Sequence, residues 1–247
     1  MYYDVHECDM SVNIPESLQG VTLWRYMSLE KFLAVIQSRS LHFSRLSEFR
    51  DKYEGRCPIA WQGPITDLSQ LPDLARARES ADAWRQVGVS IPEGKYLKDD
   101  KLPDEVYVSC WHKAEQESAA MWSLYSRNSG IAIKTISDQL GNSLRSCERN
   151  IELAAVEYID MTSELMSSRP WTIKRPSFQH EREVRAAIRD PGCQTPGLLV
   201  SVDIEVLIDD IHISPESEPW IEDVVKDVVA KYGLHKKVKR SQLYELL

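Results

Sequence analysis

Two carboxylates separated by a single residue, Glu181 and Glu183, stand in the stretch Phe178-Gln179-His180-Glu181-Arg182-Glu183-Val184-Arg185. On a strand, residues two apart share a face, so both acids point one way and Arg182 the other. Carboxylates that close repel, and one pKa rises unless a cation intervenes. The apolar residues Val184, Ala186, Ala187 and Ile188 carry the segment into a core. Charges at the mouth of a buried strand are a common place for a reactive site; a solvated charged strand is the plain alternative.

Two further groups carry chemistry. In Trp24-Arg25-Tyr26 alternation turns Arg25 away from its two aromatic neighbours. Its planar fork of donors suits a phosphate or a ribose, or a carboxylate partner at a strand end. The segment from Trp111 to Tyr125 places Trp111, Trp122 and Tyr125 among His112, Glu117 and Ser118, with Ser109 just before it. Aromatic stripes at helical spacing are usually core. Rings beside hydrogen-bonding groups are also what a planar ligand such as nicotinamide or adenine needs.

Other chemistries have no signature. The chain lacks a Gly-rich phosphate loop, an HExxH pair and a GxSxG elbow. Its six histidines have no ligand spacing and its five cysteines form no CxxC pair, so neither a catalytic metal nor a disulfide framework is expected. Reduced thiols and the lack of a signal-peptide core predict a cytoplasmic protein, and no apolar run is long enough for a membrane span. With 30 basic against 38 acidic residues the net charge is -8, so overall charge does not recruit nucleic acid or an anionic membrane. The one dense basic run is His235-Lys236-Lys237-Val238-Lys239-Arg240.

The elements that must position these groups follow from periodicity. Thr22–Tyr26 reads as a strand. Ser28 then caps a helix whose Leu29, Phe32, Leu33 and Ile36 share a face, and Leu41–Ser44 is a second strand. Val106–Trp111, Gly130–Thr135, Ile151–Ile159, Glu183–Ile188, Leu198–Val202 and Ile208–Ile213 are further strands. Glu117–Ser126 is helical, and a closing helix runs from about Glu218 to Gly233. Strands outnumber helices without regular βα alternation. The expected fold class is therefore α+β, a mixed or antiparallel β-sheet core with flanking helices. Residues 1–20 form a lead-in, and 21–247 a single domain with a helical insertion or lid near 60–103.

In their order, Trp24–Phe32, Leu41–Arg45 with Tyr53-Glu54-Gly55, Ser109-Cys110-Trp111, Glu117-Ser118 with Met121, Trp122 and Tyr125, and Phe178–Arg185 resemble a large bacterial family of unknown function. Many of its members lie in prophages and mobile islands, and the resemblance covers about residues 21–245. More distantly, the chain resembles the ADP-ribosyltransferase fold: an Arg on the first strand, a Ser or Tyr in the middle and a late Glu. That resemblance implies NAD as substrate and a role in phage defence or toxin action. It assigns Arg25, Ser109, Trp111 and Tyr125 to binding, with Arg25 on the phosphate or ribose and Tyr125 stacked on nicotinamide. It assigns Glu183 to the ribose and the developing oxocarbenium ion, and Glu181 to the acceptor or water. The usual Ser-Thr-Ser strand is absent, with Ser109 alone in its place. The partner implied is a small-molecule nucleotide, with the acceptor macromolecule unspecified. Arg25, Tyr125 and Glu183 are then expected in one pocket, and Glu183→Ala is expected to leave the melting temperature nearly unchanged. Two other functions fit the same residues. One is a nucleic-acid-cleaving effector with Glu181, Glu183 and Glu54 or Asp51 as magnesium ligands. The other is a non-enzymatic module that binds a nucleotide or protein through the Trp111–Tyr125 surface.

Overall fold

The computed structural model describes residues 11–56, 102–126, 129–161 and 169–244. The insertion expected near 60–103 lies outside the described residues, except for its last two, as does the first half of the lead-in.

In chain order the main elements are β1 (Val12–Asn13), β2 (Thr22–Ser28), α1 (Leu29–Ser38), β3 (Ser40–Arg45), α2 (Leu102–Glu105), β4 (Val106–Lys113), α3 (Ala119–Tyr125), β5 (Gly130–Ile136), α4 (Ser137–Ser143), β6 (Ile151–Ala155), β7 (Glu157–Tyr158), β8 (Ile173–Lys174), β9 (Glu183–Arg189), β10 (Gly197–Ser201), α5 (Ile204–Leu207), β11 (Asp210–Ile213), α6 (Trp220–Lys231) and β12 (Lys237–Arg240). The large sheet runs β1-β6-β9-β4-β2-β5-β11-β12, with β3 joined to β4 and β10 joined to β3. Its two end pairs, β1 with β6 and β11 with β12, are parallel and the other pairs antiparallel. The α+β expectation with a mixed sheet is met. Among the described residues no helix is long and apolar enough to cross a membrane.

One face of the sheet carries the principal core. Leu23 and Met27 from β2, Tyr107 and Trp111 from β4, and Val184, Ala186 and Ile188 from β9 meet Phe32 and Ile36 of α1, Leu140 of α4, Leu207 of α5 and Val225 of α6. The alternate residues point to the outer face, where Trp24 and Tyr26 pack with Met121 and Trp122 of α3. Farther along, Val108 and Ala187 pack with Leu46 and Trp171.

Strand β4 divides the sheet. Along one edge it pairs with β9 from Val106 to His112. Along the other it meets β2 only at His112 and Lys113 and meets β3 only at Tyr107 and Val108. A gap therefore opens between β2 and β4 beside Ser109, Cys110 and Trp111.

Two expected strands differ. Ile151–Ile159 breaks after Ala155. Val156 still donates its N–H to Glu183 O, and β7 then leaves to form a separate parallel ribbon with β8. The stretch before Glu183 is not extended: Pro176–Glu181 is a 3₁₀ turn with Pro176 at its start. Proline's fixed φ and missing N–H suit the first turn of a helix. Ser28 does occupy the N-cap position of α1, but its side chain makes no capping hydrogen bond.

Candidate functional site

The outer face at the start of β9 holds a cluster of buried charges. Residue alternation in β9 sends Glu183 and Arg185 outward and Val184 and Ala186 into the core. Glu181 arrives from the 3₁₀ turn, with Arg182 between the two acids in the left-handed region at φ 40. That kink, rather than a continuous strand, brings both carboxylates to one cation. Lys174, from β8, lies 2.5 Å from Glu181 Oε2, 3.0 Å from Glu183 Oε2 and 3.2 Å from Glu54 Oε1.

Arg185 is the second cation and is 0% exposed. Its Nε donates to Glu183 Oε1 at 2.8 Å, and its Nη2 to Glu54 Oε2 at 2.6 Å and to Glu183 Oε2 at 3.2 Å. Its Nη1 donates to the carbonyl of Trp171 at 2.5 Å, and its guanidinium carbon lies 5.8 Å from the centre of the Phe49 ring. Burial opposes the charge on Glu183, but Arg185 and Lys174 outweigh it and hold its pKa at about 2. Burial also works against the Lys174 ammonium, yet Glu183 and Glu54 raise its pKa above the ordinary lysine value. The sequence-based condition is thus resolved: a cation does stand between the paired acids. Cys110, from β4, adds a thiol; burial, then the Glu183 charge, push its pKa well up.

The cluster reaches the surface at Tyr125, which is 46% exposed. Its hydroxyl donates to Glu181 Oε1 at 2.9 Å, and burial of the hydroxyl end followed by the nearby Glu181 charge raises its pKa. Beneath it, Trp122 is core: its indole N–H donates to Glu117 Oε2 at 2.8 Å and its ring meets Tyr26 edge-on. His112 donates Nδ1–H to the carbonyl of Glu181 at 2.6 Å, holding the end of the 3₁₀ turn, and burial lowers its pKa.

Of the residues singled out by sequence, Glu181, Glu183 and Tyr125 are brought together. Arg25, Ser109 and Trp111 form a second group, so the single pocket expected for Arg25, Tyr125 and Glu183 is not built. The reason is register. Trp24 pairs with His112 and His112 with Glu183, which puts those three side chains on one face. Arg25, Ser109 and Trp111 alternate to the other. Arg25 Nη1 donates to Ser109 Oγ at 2.5 Å, and Nη2 reaches the carbonyl of His42 at 3.2 Å across the gap between β2 and β4. The Trp111 indole N–H donates to the same Ser109 oxygen at 3.2 Å, and the Arg25 guanidinium carbon lies 5.5 Å from the centre of the Trp111 ring. Arg25 makes no ion pair among the described residues, and burial lowers its pKa. Donors outnumber acceptors here, which suits an anionic group.

Sequence reasoning passed over Lys174 and took Cys110 only as part of an aromatic segment. Lys174 precedes Arg175-Pro176 in an unpatterned stretch, so no periodicity singled it out. The magnesium-ligand alternative also changes. Glu54, Glu181 and Glu183 do converge, but the Lys174 ammonium occupies their meeting point, and Asp51 instead accepts from Arg175 Nε at 3.0 Å. No group of metal-ligating side chains of the required size occurs among the described residues.

No protein-family model matches the chain, and no curated protein matches it. Among solved structures the chain is similar to DarT of Thermus sp. 2.9 in complex with NAD+, at 8% identity and a TM-score of 0.42, over 93% of this chain and 98% of that one. A superposition that loose assigns nothing to individual residues of this chain.

Proposed function

We propose that the cluster at Glu181 and Glu183 cleaves the nicotinamide–ribose bond of NAD and passes ADP-ribose to water or an acceptor. The observation that carries this reading is charge imbalance. Three carboxylates, Glu54, Glu181 and Glu183, face two cations, Lys174 and Arg185, and the excess negative charge lies beside the exposed ring of Tyr125. A site with fixed excess negative charge favours a reaction in which positive charge develops. As the C1′–N bond breaks, nicotinamide leaves with the bonding electron pair and the ribose becomes an oxocarbenium ion. Glu183, held ionised, stabilises that ion. Glu181, the acid bonded to the half-exposed Tyr125, orients the incoming hydroxyl and accepts its proton, and the Tyr125 ring stacks on nicotinamide. Arg25, Ser109 and Trp111, on the opposite face of the sheet, take no part in this reading. A defence or toxin role would be served by the same transfer.

The test is nicotinamide release by the purified chain, with and without cell extract as a source of acceptor. Release that survives a chelator and is lost in Glu181→Gln supports the proposal. Release that requires magnesium would favour the nucleic-acid-cleaving alternative. Binding of NAD unaltered by Glu181→Gln, with no turnover in either form, would make the chain a binding module.

A further inference from the structure

Lys174, a cation of the cluster, stands on a piece of structure outside the large sheet. It belongs to β8, which among the described residues pairs with β7 alone, in a short parallel ribbon. Ribbon and sheet part at Val156. Up to Ala155 the ladder with β9 is regular, its last register pair being Ala155 with Val184, and Val156 still donates to the Glu183 carbonyl at 2.8 Å. A regular antiparallel ladder would return the Glu183 N–H to the carbonyl of Val156. Instead that N–H donates to the hydroxyl of Tyr158 at 2.8 Å.

Tyr158 is also the register partner of Lys174, and the carbonyl of Lys174 accepts from the Ile159 N–H at 2.9 Å. Side by side on the ribbon, the two residues hold one glutamate at two points. Tyr158 takes its backbone N–H, and the Lys174 ammonium lies 3.0 Å from its Oε2. The ribbon has a small core of its own, Ile159, Met161 and Ile173. Its place against β9 is set by the bonds that cross between them: the Tyr158 hydroxyl, the Arg185 donation to the Trp171 carbonyl just before β8, and the ion pairs of Lys174. Of these, the Tyr158 bond alone involves no charged group.

We infer that Tyr158 is a positioning residue of this site, fixing the Lys174 ammonium against the Glu183 carboxylate through its hydroxyl. The inference deepens the glycosyl-transfer reading and rests on it only for the consequence, an ionised Glu183 kept in one place beside the forming oxocarbenium ion. Burial raises the pKa of the phenol to about 12, so it stays neutral wherever carboxylates titrate. The plainer role for the hydroxyl is to satisfy a buried backbone donor. The two roles differ in one respect. The donor is present whatever side chain residue 183 carries, whereas a positioned ammonium needs the carboxylate.

A double-mutant cycle in denaturant, on the full chain, separates them. Tyr158→Phe keeps the ring and should lower the folding equilibrium constant about tenfold. In the Glu183→Gln background the same substitution should cost about threefold or less, and equal losses in the two backgrounds would overturn the inference. A second measurement needs no variant of Glu183. In carbon-13 titration of the carboxyl groups, Tyr158→Phe should move the glutamate that titrates at about 2 in the wild type up by about one unit; a carboxyl that stays where it was also sinks the idea. Neither measurement depends on turnover, so coupling in a chain that never releases nicotinamide leaves Tyr158 in its role and removes the glycosyl-transfer reading. Where nicotinamide is released, kcat should fall about tenfold in Tyr158→Phe with little change in KM, because the hydroxyl acts on Glu183 and not on the dinucleotide. An unaltered kcat would count against Tyr158 as the other two null results do.

Discussion

At the scale of single residues, the two acids of the site are not equivalent. Glu183 is bonded to both Arg185 and Lys174, whereas Glu181, also buried, meets Tyr125 and only one of the cations, Lys174, which keeps Glu183 and Glu54 as partners without it. The expectation that Glu183→Ala would leave the melting temperature unchanged therefore needs correction. Removing one partner of a buried ion pair strands the other, a loss of about 3–5 kcal/mol. Glu183→Ala should lower stability by that order as well as activity, while Glu181→Gln should lose nicotinamide release with a much smaller shift in melting temperature. Thermal unfolding of both variants beside the activity assay checks this, and equal destabilisation would remove the distinction. The same pairing fixes an acid limit. The folded pKa of Glu183 is depressed to about 2 from 4.5, so its stabilisation is complete above the unfolded value and is lost as pH falls toward 2. Unfolding free energy measured by denaturant between pH 5 and 3 should fall in the wild type and fall less steeply in Glu183→Gln.

Among the elements, the turn into β9 decides the site. Arg182 adopts a left-handed conformation that a residue with a side chain reaches at a cost of about 1–2 kcal/mol and that glycine adopts freely. Arg182→Gly should fold at least as stably as the wild type. Arg182→Val should be destabilised by about 1–2 kcal/mol or more, because a branched Cβ makes positive φ worse; a neutral Val variant in denaturant titration would show that the turn can be rebuilt. On α3, Trp122 is only 3% exposed, and Trp122→Ala should cost about 3–5 kcal/mol, with a small loss indicating that the ring is dispensable to the packing. The elements themselves were largely legible beforehand. Apolar alternation located β2, β4, β5 and β11, and the 3.6-residue period located α1 and α6. The site was legible in part. Spacing singled out Glu181, Glu183 and Tyr125, which the structure brings together, but a period-two rule applied across Glu181-Arg182-Glu183 overlooked the turn that Pro176 starts. Periodicity assigns a face within one strand and says nothing about register between strands. Arg25 therefore looked like a neighbour of Glu183 when the pairing of Trp24 with His112 turns it away.

Over the whole molecule, charge gathers at two places, the buried cluster on the outer face and the strand at 237–240. The basic run at 235–240 has acidic neighbours. Glu205 faces His235 and Lys236, Asp210 pairs with Lys239 and Glu222 lies 3.8 Å from Arg240. Most of it is β12, which ends the sheet among the described residues and is paired there by β11 alone. A strand with a free row of backbone donors and acceptors is a template for another chain, and charged side chains, lysine above all, discourage such pairing. Lys237 and Lys239 are both exposed there. Replacing both with valine should leave the chain's secondary structure intact while raising light scattering with protein concentration; a variant that stays as disperse as the wild type would show that the lysines do not guard this margin. The terminal lysines would then matter for how many copies of the chain can share a crowded solution, a property on which the acids across the sheet have no bearing.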